Sequence, residues 1–299
     1  MKLVKLCVQL SGGLGNQMFQ FAAGRALALD KNVGFAIDAW SGFLRDTQYR
    51  RSYELGKLPI GARLVTCRDQ IALWLYRSTN RQPDNQRTIE QRRWYGDFYV
   101  EQDFSYHPEL NEAGLARLTW LIGYWQSPLY FKKYKELLQS ELMPPLPTNP
   151  KFTDLAMQIH NTESVALGIR LYEESANPAD HARNSVMKTA KDITQTINRL
   201  LIMRPNAKFF VFCTHHSAFF DELGLPRGTT FVTADDGYED VLDCMWLLTR
   251  CKHHIFTNST YYWWGAWLSE AIHNKEEQLV FAADNFINTD GICDYWQRF

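Results

Sequence analysis

The sequence predicts an α/β protein made of two Rossmann-like domains facing a cleft. Three observations carry this reading. Between Val4 and Asp38 an apolar run, a glycine-rich turn, a helical segment and a second apolar run follow one another. A proline-rich stretch breaks the chain near its middle. After it, apolar runs alternate with amphipathic helical segments, the pattern of a parallel sheet covered on both faces.

Val4 to Leu10 reads as a strand that stops at Ser11-Gly12-Gly13-Leu14-Gly15. Asn16 to Lys31 reads as a helix with Met18, Phe19, Ala22, Ala26 and Leu29 near one face, and Val33 to Ile37 as a second strand. Phe43 to Glu112 is polar and irregular, with a helical stretch near Asp69 to Tyr76. Leu118 to Gly123 reads as a strand and Ser127 to Leu142 as a helix. Residues 143–150 hold four prolines in eight positions, which neither continue a helix nor join a central strand. The expected domains are therefore 1–147 and 148–299. In the second, strands are expected at Val165–Ile169, Phe209–Phe212, Thr230–Val232, His254–Thr257 and Gln278–Phe281. Helices are expected at Ser185–Met203, His215–Leu223, Glu239–Thr249 and Tyr262–His273.

Composition narrows the function. A net charge of −1 supplies no global field for nucleic acid. No run of about 18 apolar residues suggests a membrane span, and the amino-terminal apolar run is too short for a signal peptide. Six cysteines form no CxxC pair, and Cys7, Cys213, Cys244 and Cys251 read as small buried hydrophobes. The simplest location is the cytoplasm, with peripheral contact at the inner membrane as an option. Ten Trp in 299 residues suit a large core, and rings of this kind also pack on sugar faces.

Three segments could carry chemistry. Gly12, Gly13 and Gly15 follow a strand and open a helix, where backbone N–H groups approach an anion. The alternative is a tight connection with Asn16 as N-cap. Met18 breaks the dinucleotide fingerprint and no Gly-Lys-Ser/Thr follows, which disfavours an NAD(P) oxidoreductase and a P-loop. Arg170 stands at the end of a strand, where a guanidinium clamps phosphate bidentately; Glu173 and Glu174 follow in the same loop and offer a general base. Asn258-Ser259-Thr260 caps the start of a Trp-rich helix whose free N–H groups also suit a phosphate. Trp263, Trp264 and Trp267 read as core, and Asp243 lies on the preceding helix. His253 and His254 are adjacent, not at i, i+4, so zinc ligation is not expected, nor at His215 and His216. No Asp-x-Asp triplet supports a metal-bridged diphosphate.

These blocks, in order, resemble glycosyltransferase family 11, the α-1,2-fucosyltransferases. GGLGNQMFQFAAGRALA (12–28) resembles the family's Gly-Asn-Gln segment, GYWQSPLYF (123–131) its central aromatic block, and CKHHIFTNSTYYWWGAWLS (251–269) its most specific block. One block departs. The family shows His-x-Arg-Arg-Gly-Asp-Tyr after the first strand of the second domain; here Gly168 stands for the His, Arg170 for the first Arg, Leu171 for the second and Glu173 for the Asp.

The resemblance implies a GT-B-like architecture, with an acceptor-side first domain and a nucleotide-sugar-binding second domain. It implies GDP-fucose as donor, inversion at the anomeric carbon and no metal. The implied acceptor is the 2-hydroxyl of a β-galactoside, in a galactose-terminated oligosaccharide or lipid-linked glycan such as an O-antigen unit. Arg170 and Glu173 are the expected catalytic residues. Gly13, Gly15, Asn16, Gln17, Arg170, Asp243, Asn258, Ser259, Thr260 and Tyr261 are the expected donor contacts. Another nucleotide-sugar transferase, or a non-enzymatic glycan-binding protein, are the alternatives.

Overall fold

The computed structural model describes residues 4–44, 46, 49–79, 90–93, 96–115, 117–172, 187–286 and 288–299. The chain divides into two compact units: Met1–Gly56 with Ile60–Glu141, and Lys57–Pro59 with Leu142–Phe299.

The first unit holds a six-stranded sheet: β1 Val4–Gln9, β2 Gly34–Asp38, β3 Arg63–Leu64, β4 Glu90–Arg93, β5 Gly96–Val100 and β6 Thr119–Ile122. Their order is β3-β2-β1-β6-β5-β4, all parallel except the β4–β5 pair. Helix α1 (Leu14–Asp30) connects β1 to β2 and is buried along most of its length. Helix α2 (Cys67–Thr79) buries Ala72, Leu73 and Tyr76, whose ring stacks on Phe98 at 4.2 Å. Helix α3 spans Lys135–Leu142.

The second unit is a fully parallel sheet: β7 Glu163–Gly168, β8 Ala207–Phe212, β9 Thr230–Val232, β10 His253–Phe256, β11 Val280–Ala282 and β12 Gln297–Arg298, in the order β12-β11-β10-β7-β8-β9. Helices α4 (Pro150–His160), α5 (Ala190–Met203), α6 (Val241–Arg250) and α7 (Thr260–Ser269) accompany it. Val165, Leu167, Val211 and Ile255 from three strands meet Ile193, Ile197 and Leu200 of α5 in one core. Both sheets reverse strand order once: between β1 and β6, and between β7 and β10. In open α/β sheets, ligands bind outside the carboxyl ends of the strands at such reversals.

Several elements differ from the sequence expectation. Strand β5 lies inside the span read as irregular: five residues opening on Gly96-Asp97 show no alternation, and pairing with β6 is what makes the segment a strand. The helix expected over Ser127–Leu142 starts as two short 3-10 turns, Pro128–Tyr130 capped by Ser127 and Lys132–Tyr134, because Phe131 between them takes φ −136 and interrupts the helical backbone; the α-helix itself begins at Lys135. The segment expected as helix over His215–Leu223 is a 3-10 turn at Ala218–Leu223 capped by Ser217. Pro150 does not belong to a linker: it opens α4 with Asn149 as N-cap. Asn16 is not the cap of α1 either, since that helix begins two residues earlier with Gly13 at the N-cap.

Candidate functional site

Two groups of the expected residues stand at the two strand reversals. In the first unit, Gly12 adopts φ +72 and lets the chain turn from β1 into α1. The turn is bolted to the loop after β6. Gln126 donates to the Asn16 Oδ1 at 3.0 Å, and Gln20 donates to the Ser11 hydroxyl at 2.9 Å and to the Gly123 carbonyl at 3.0 Å. That loop is in turn held by Glu101, which accepts from the Tyr124 and Trp125 N–H groups at 2.6 and 2.9 Å. Burial raises the Glu101 carboxyl above its ordinary range, against the pull of those two bonds. Two sequence blocks far apart along the chain thus form one surface.

Gln17, read as a donor contact, points elsewhere. Its side chain is fully buried, donating to the Gly12 and Ser52 carbonyls and accepting from the Glu54 and Leu55 N–H groups. It is a clip that shapes the turn. The same folding brings the Arg51 guanidinium within 3.9 Å of where a Cβ on Gly13 would stand. Sequence reading misses this cation because it lies far from Gly13 along the chain.

In the second unit, Arg170 leaves the carboxyl end of β7 and Asn258-Ser259-Thr260 leaves that of the neighbouring β10. The Arg170 N–H donates to Thr257 Oγ1 at 2.8 Å, and the Thr257 N–H donates to the Gly168 carbonyl at 3.0 Å. Tyr172 donates its hydroxyl to the Asn258 carbonyl at 3.3 Å, and the Arg170 guanidinium lies over the Tyr172 ring at 4.9 Å. Ser259 is the N-cap of α7, but its hydroxyl makes no cap bond and Thr260 is the first helical residue. The Tyr261 hydroxyl donates to the Val241 carbonyl at 2.6 Å, tying the first turn of α7 to that of α6. Asp243 sits in that α6 turn, which Asp240 caps; burial first, and then the Asp240 charge, raises its carboxyl.

Arg170, Asn258, Ser259, Thr260, Tyr261 and Asp243 are therefore gathered at one end of one sheet. Thr257 and Tyr172 complete the cluster and carry no sequence signal of their own. Glu173, the expected base, lies outside the described residues, as do Glu174 and Arg183. Lys188 pairs with Asp284 at 2.6 Å and lies over the Phe299 ring. Trp263, Trp264 and Trp267 are buried as expected. The start of the same block holds neighbouring strands together. His253 receives the Leu279 N–H on Nδ1 at 3.0 Å, which leaves Nε2–H for Glu163 at 2.7 Å. Among the described residues, no group of three or more His, Cys, Asp or Glu could hold a metal ion.

The model of the family described as "Glycosyl transferase family 11" matches residues 97–286. The chain belongs to glycosyltransferase family 11. An "Alpha-1,2-colitosyltransferase" of Escherichia coli is 30% identical over 268 residues, covering 87% of this chain and 86% of that protein. The "O-antigen biosynthesis glycosyltransferase WbnK" of Escherichia coli is 26% identical over 286 residues, covering 87% and 89%. Among solved structures, fucosyltransferase NodZ from Bradyrhizobium superposes with a TM-score of 0.52 at 16% identity, over 88% of this chain and 92% of that one. That likeness shows the fold: an α/β chain of two Rossmann-like units, as the sequence predicted.

Proposed function

We propose that this family 11 glycosyltransferase is an inverting α-1,2-fucosyltransferase using GDP-fucose. The observation that supports it is Arg170 at the β7–β10 reversal, beside the partly exposed start of α7. In this reading the 2-hydroxyl oxygen of a β-galactoside attacks the anomeric carbon while the bond to the β-phosphate breaks, and GDP leaves. Charge grows on that phosphate, where Arg170 and the N–H groups at Ser259, Thr260 and Tyr261 meet it. Asn258 and Asp243 shape the nucleotide's surroundings. Gly13, Gly15 and Asn16 supply the turn of the first unit, and Gln17 supports that turn from inside. Glu173 takes the acceptor proton. No metal is assigned a part, so turnover is expected to persist in excess chelator.

A second reading keeps the chemistry and changes the sugar. The 30% likeness to a colitosyltransferase favours colitose as the transferred group. The test is a donor screen with GDP-fucose, GDP-colitose and UDP-galactose on a β-galactoside acceptor, read by product mass and then linkage analysis. Transfer from UDP-galactose alone would remove both readings. For the base, Glu173→Gln is expected to abolish transfer while leaving GDP binding intact.

A lipid-linked O-antigen acceptor would bring the enzyme to the inner leaflet from the cytoplasmic side. Among the described residues no helix is long and apolar enough to cross a membrane. The outward face of α2 supports surface contact instead: Ile71 and Trp74 are 56% and 67% exposed, and over that stretch Asp69 alone offsets the charges of Arg63, Arg68 and Arg77. Flotation with phosphatidylglycerol vesicles, lost in Trp74→Ser, tests this.

A further inference from the structure

We infer that Tyr172 positions Arg170 for the donor diphosphate, taking over from the second arginine of the family pattern, which Leu171 replaces. The inference rests on the nucleotide-sugar reading above. Its starting point is a backbone conflict. Tyr172 adopts φ +58, a left-handed conformation uncommon for a residue with a Cβ, and it stands where the family pattern has glycine. A tyrosine there persists only if surrounding contacts hold it, and such strain gathers at ligand sites.

The contacts are specific. The hydroxyl is tethered to the Asn258 carbonyl at the mouth of α7, and the ring carries the Arg170 guanidinium at 4.9 Å. The Arg170 backbone is fixed separately by Thr257. Leu171 contributes no charge: it is 7% exposed and belongs to the apolar core under the sheet. A strand end with one guanidinium where the family pattern has two gains most from holding that one still. A long flexible side chain loses rotamer freedom when it grips phosphate, and a ring beneath it removes part of that loss beforehand. The tether also makes the arginine's support move with the helix start that is to share the diphosphate. Tyr172 touches no reacting atom in this account; it acts through Arg170.

The experiment is GDP titration calorimetry on the full chain, with a thermal melt of each variant. Tyr172→Leu keeps the strained backbone and removes the ring; it is expected to bind GDP about tenfold more weakly, the size of a partly desolvated cation–π contact. In an Arg170→Ala background the same change is expected to cost nothing further. Tyr172→Phe, which keeps the ring and drops the tether, is expected to lose less. Tyr172→Gly is expected to lose affinity while its Tm rises by about 2 °C as the strain is relieved, a split that a purely structural tyrosine would not give. Wild-type affinity in Tyr172→Leu, or an equal loss with and without Arg170, would overturn the inference and leave the donor reading standing. If the wild-type chain bound UDP and not GDP, the donor reading would fail, while the Tyr172–Arg170 coupling would still be read with UDP.

Discussion

The ring of Tyr262 fills the direction in which a side chain on Gly168 would point. A Cβ built on Gly168 lies 2.5 Å from the Tyr262 Cγ, and the Tyr262 hydroxyl donates to the Phe212 carbonyl at 2.9 Å. The resemblance sets Gly168 against the histidine of the family pattern, and the space a side chain would need there is taken by an aromatic ring from the neighbouring α7.

Gly168→Ala is therefore expected to destabilise the protein by about 1–3 kcal/mol, the usual cost of overpacking. Gly168→His, which restores the family residue, is expected to cost more. Urea unfolding measures both. Unchanged midpoints would mean that the ring yields freely.

Arg170→Ala is expected to lower kcat/KM by a factor of about 10² to 10³, the scale for removing one preorganised group from a developing charge. Steady-state kinetics with varied donor checks it, and near wild-type turnover would remove Arg170 from the mechanism.

Gln17→Ala leaves the half-buried Glu54 N–H and the buried Leu55 N–H without their acceptor. A loss of about 1–3 kcal/mol in stability is expected for such a cut, with GDP affinity unchanged. A selective loss of GDP binding at full stability would instead return Gln17 to the ligand.

Acid is expected to weaken the second unit. Burial is the first cause that lowers the imidazole values of His253, His254 and His273, and for His254 the result is about 3 against an ordinary 6.5. Folding thus favours the neutral rings. Their contribution is complete above about pH 6.5 and drains as the pH falls toward the folded-state values. At pH 5, about 1.5 pH units below the unfolded value, His254 alone accounts for about 2 kcal/mol. Urea midpoints between pH 8 and 5 should fall, and His254→Phe should flatten the slope. An unaltered slope in that variant would assign the acid sensitivity to other groups.

The second unit is far more legible in the sequence than the first. Its strands β7, β8, β10 and β11 are mostly apolar and buried on both faces, and its helices carry clean stripes such as Ile193, Ile197 and Leu200. Strand β5, in contrast, shows Gly and Asp at its start and owes its conformation to β6. Helix α4 is hidden because Pro150 reads equally as a break and as a first helical residue. At the candidate site, Arg170 and the Asn258–Thr260 turn are visible as polar residues after apolar runs. Tyr172 and Thr257 are not, because their importance lies in whom they touch. Gln17 misleads for the converse reason: a polar side chain beside a glycine turn looks available until its partners are counted.

The grip on Arg170 also bears on how the chain folds. Both bonds that define it span most of the second unit's sequence, from Arg170 to Thr257 and from Tyr172 to Asn258, separations of 87 and 86 residues. Contacts so distant along the chain form only after long loops have closed, and so tend to form late. A nascent chain that ends before β10 has β7, β8 and β9 but no partner for either bond. On the proposed donor reading, nucleotide binding is then a property of the finished unit alone, and GDP is expected to stabilise the last step of its assembly rather than the first.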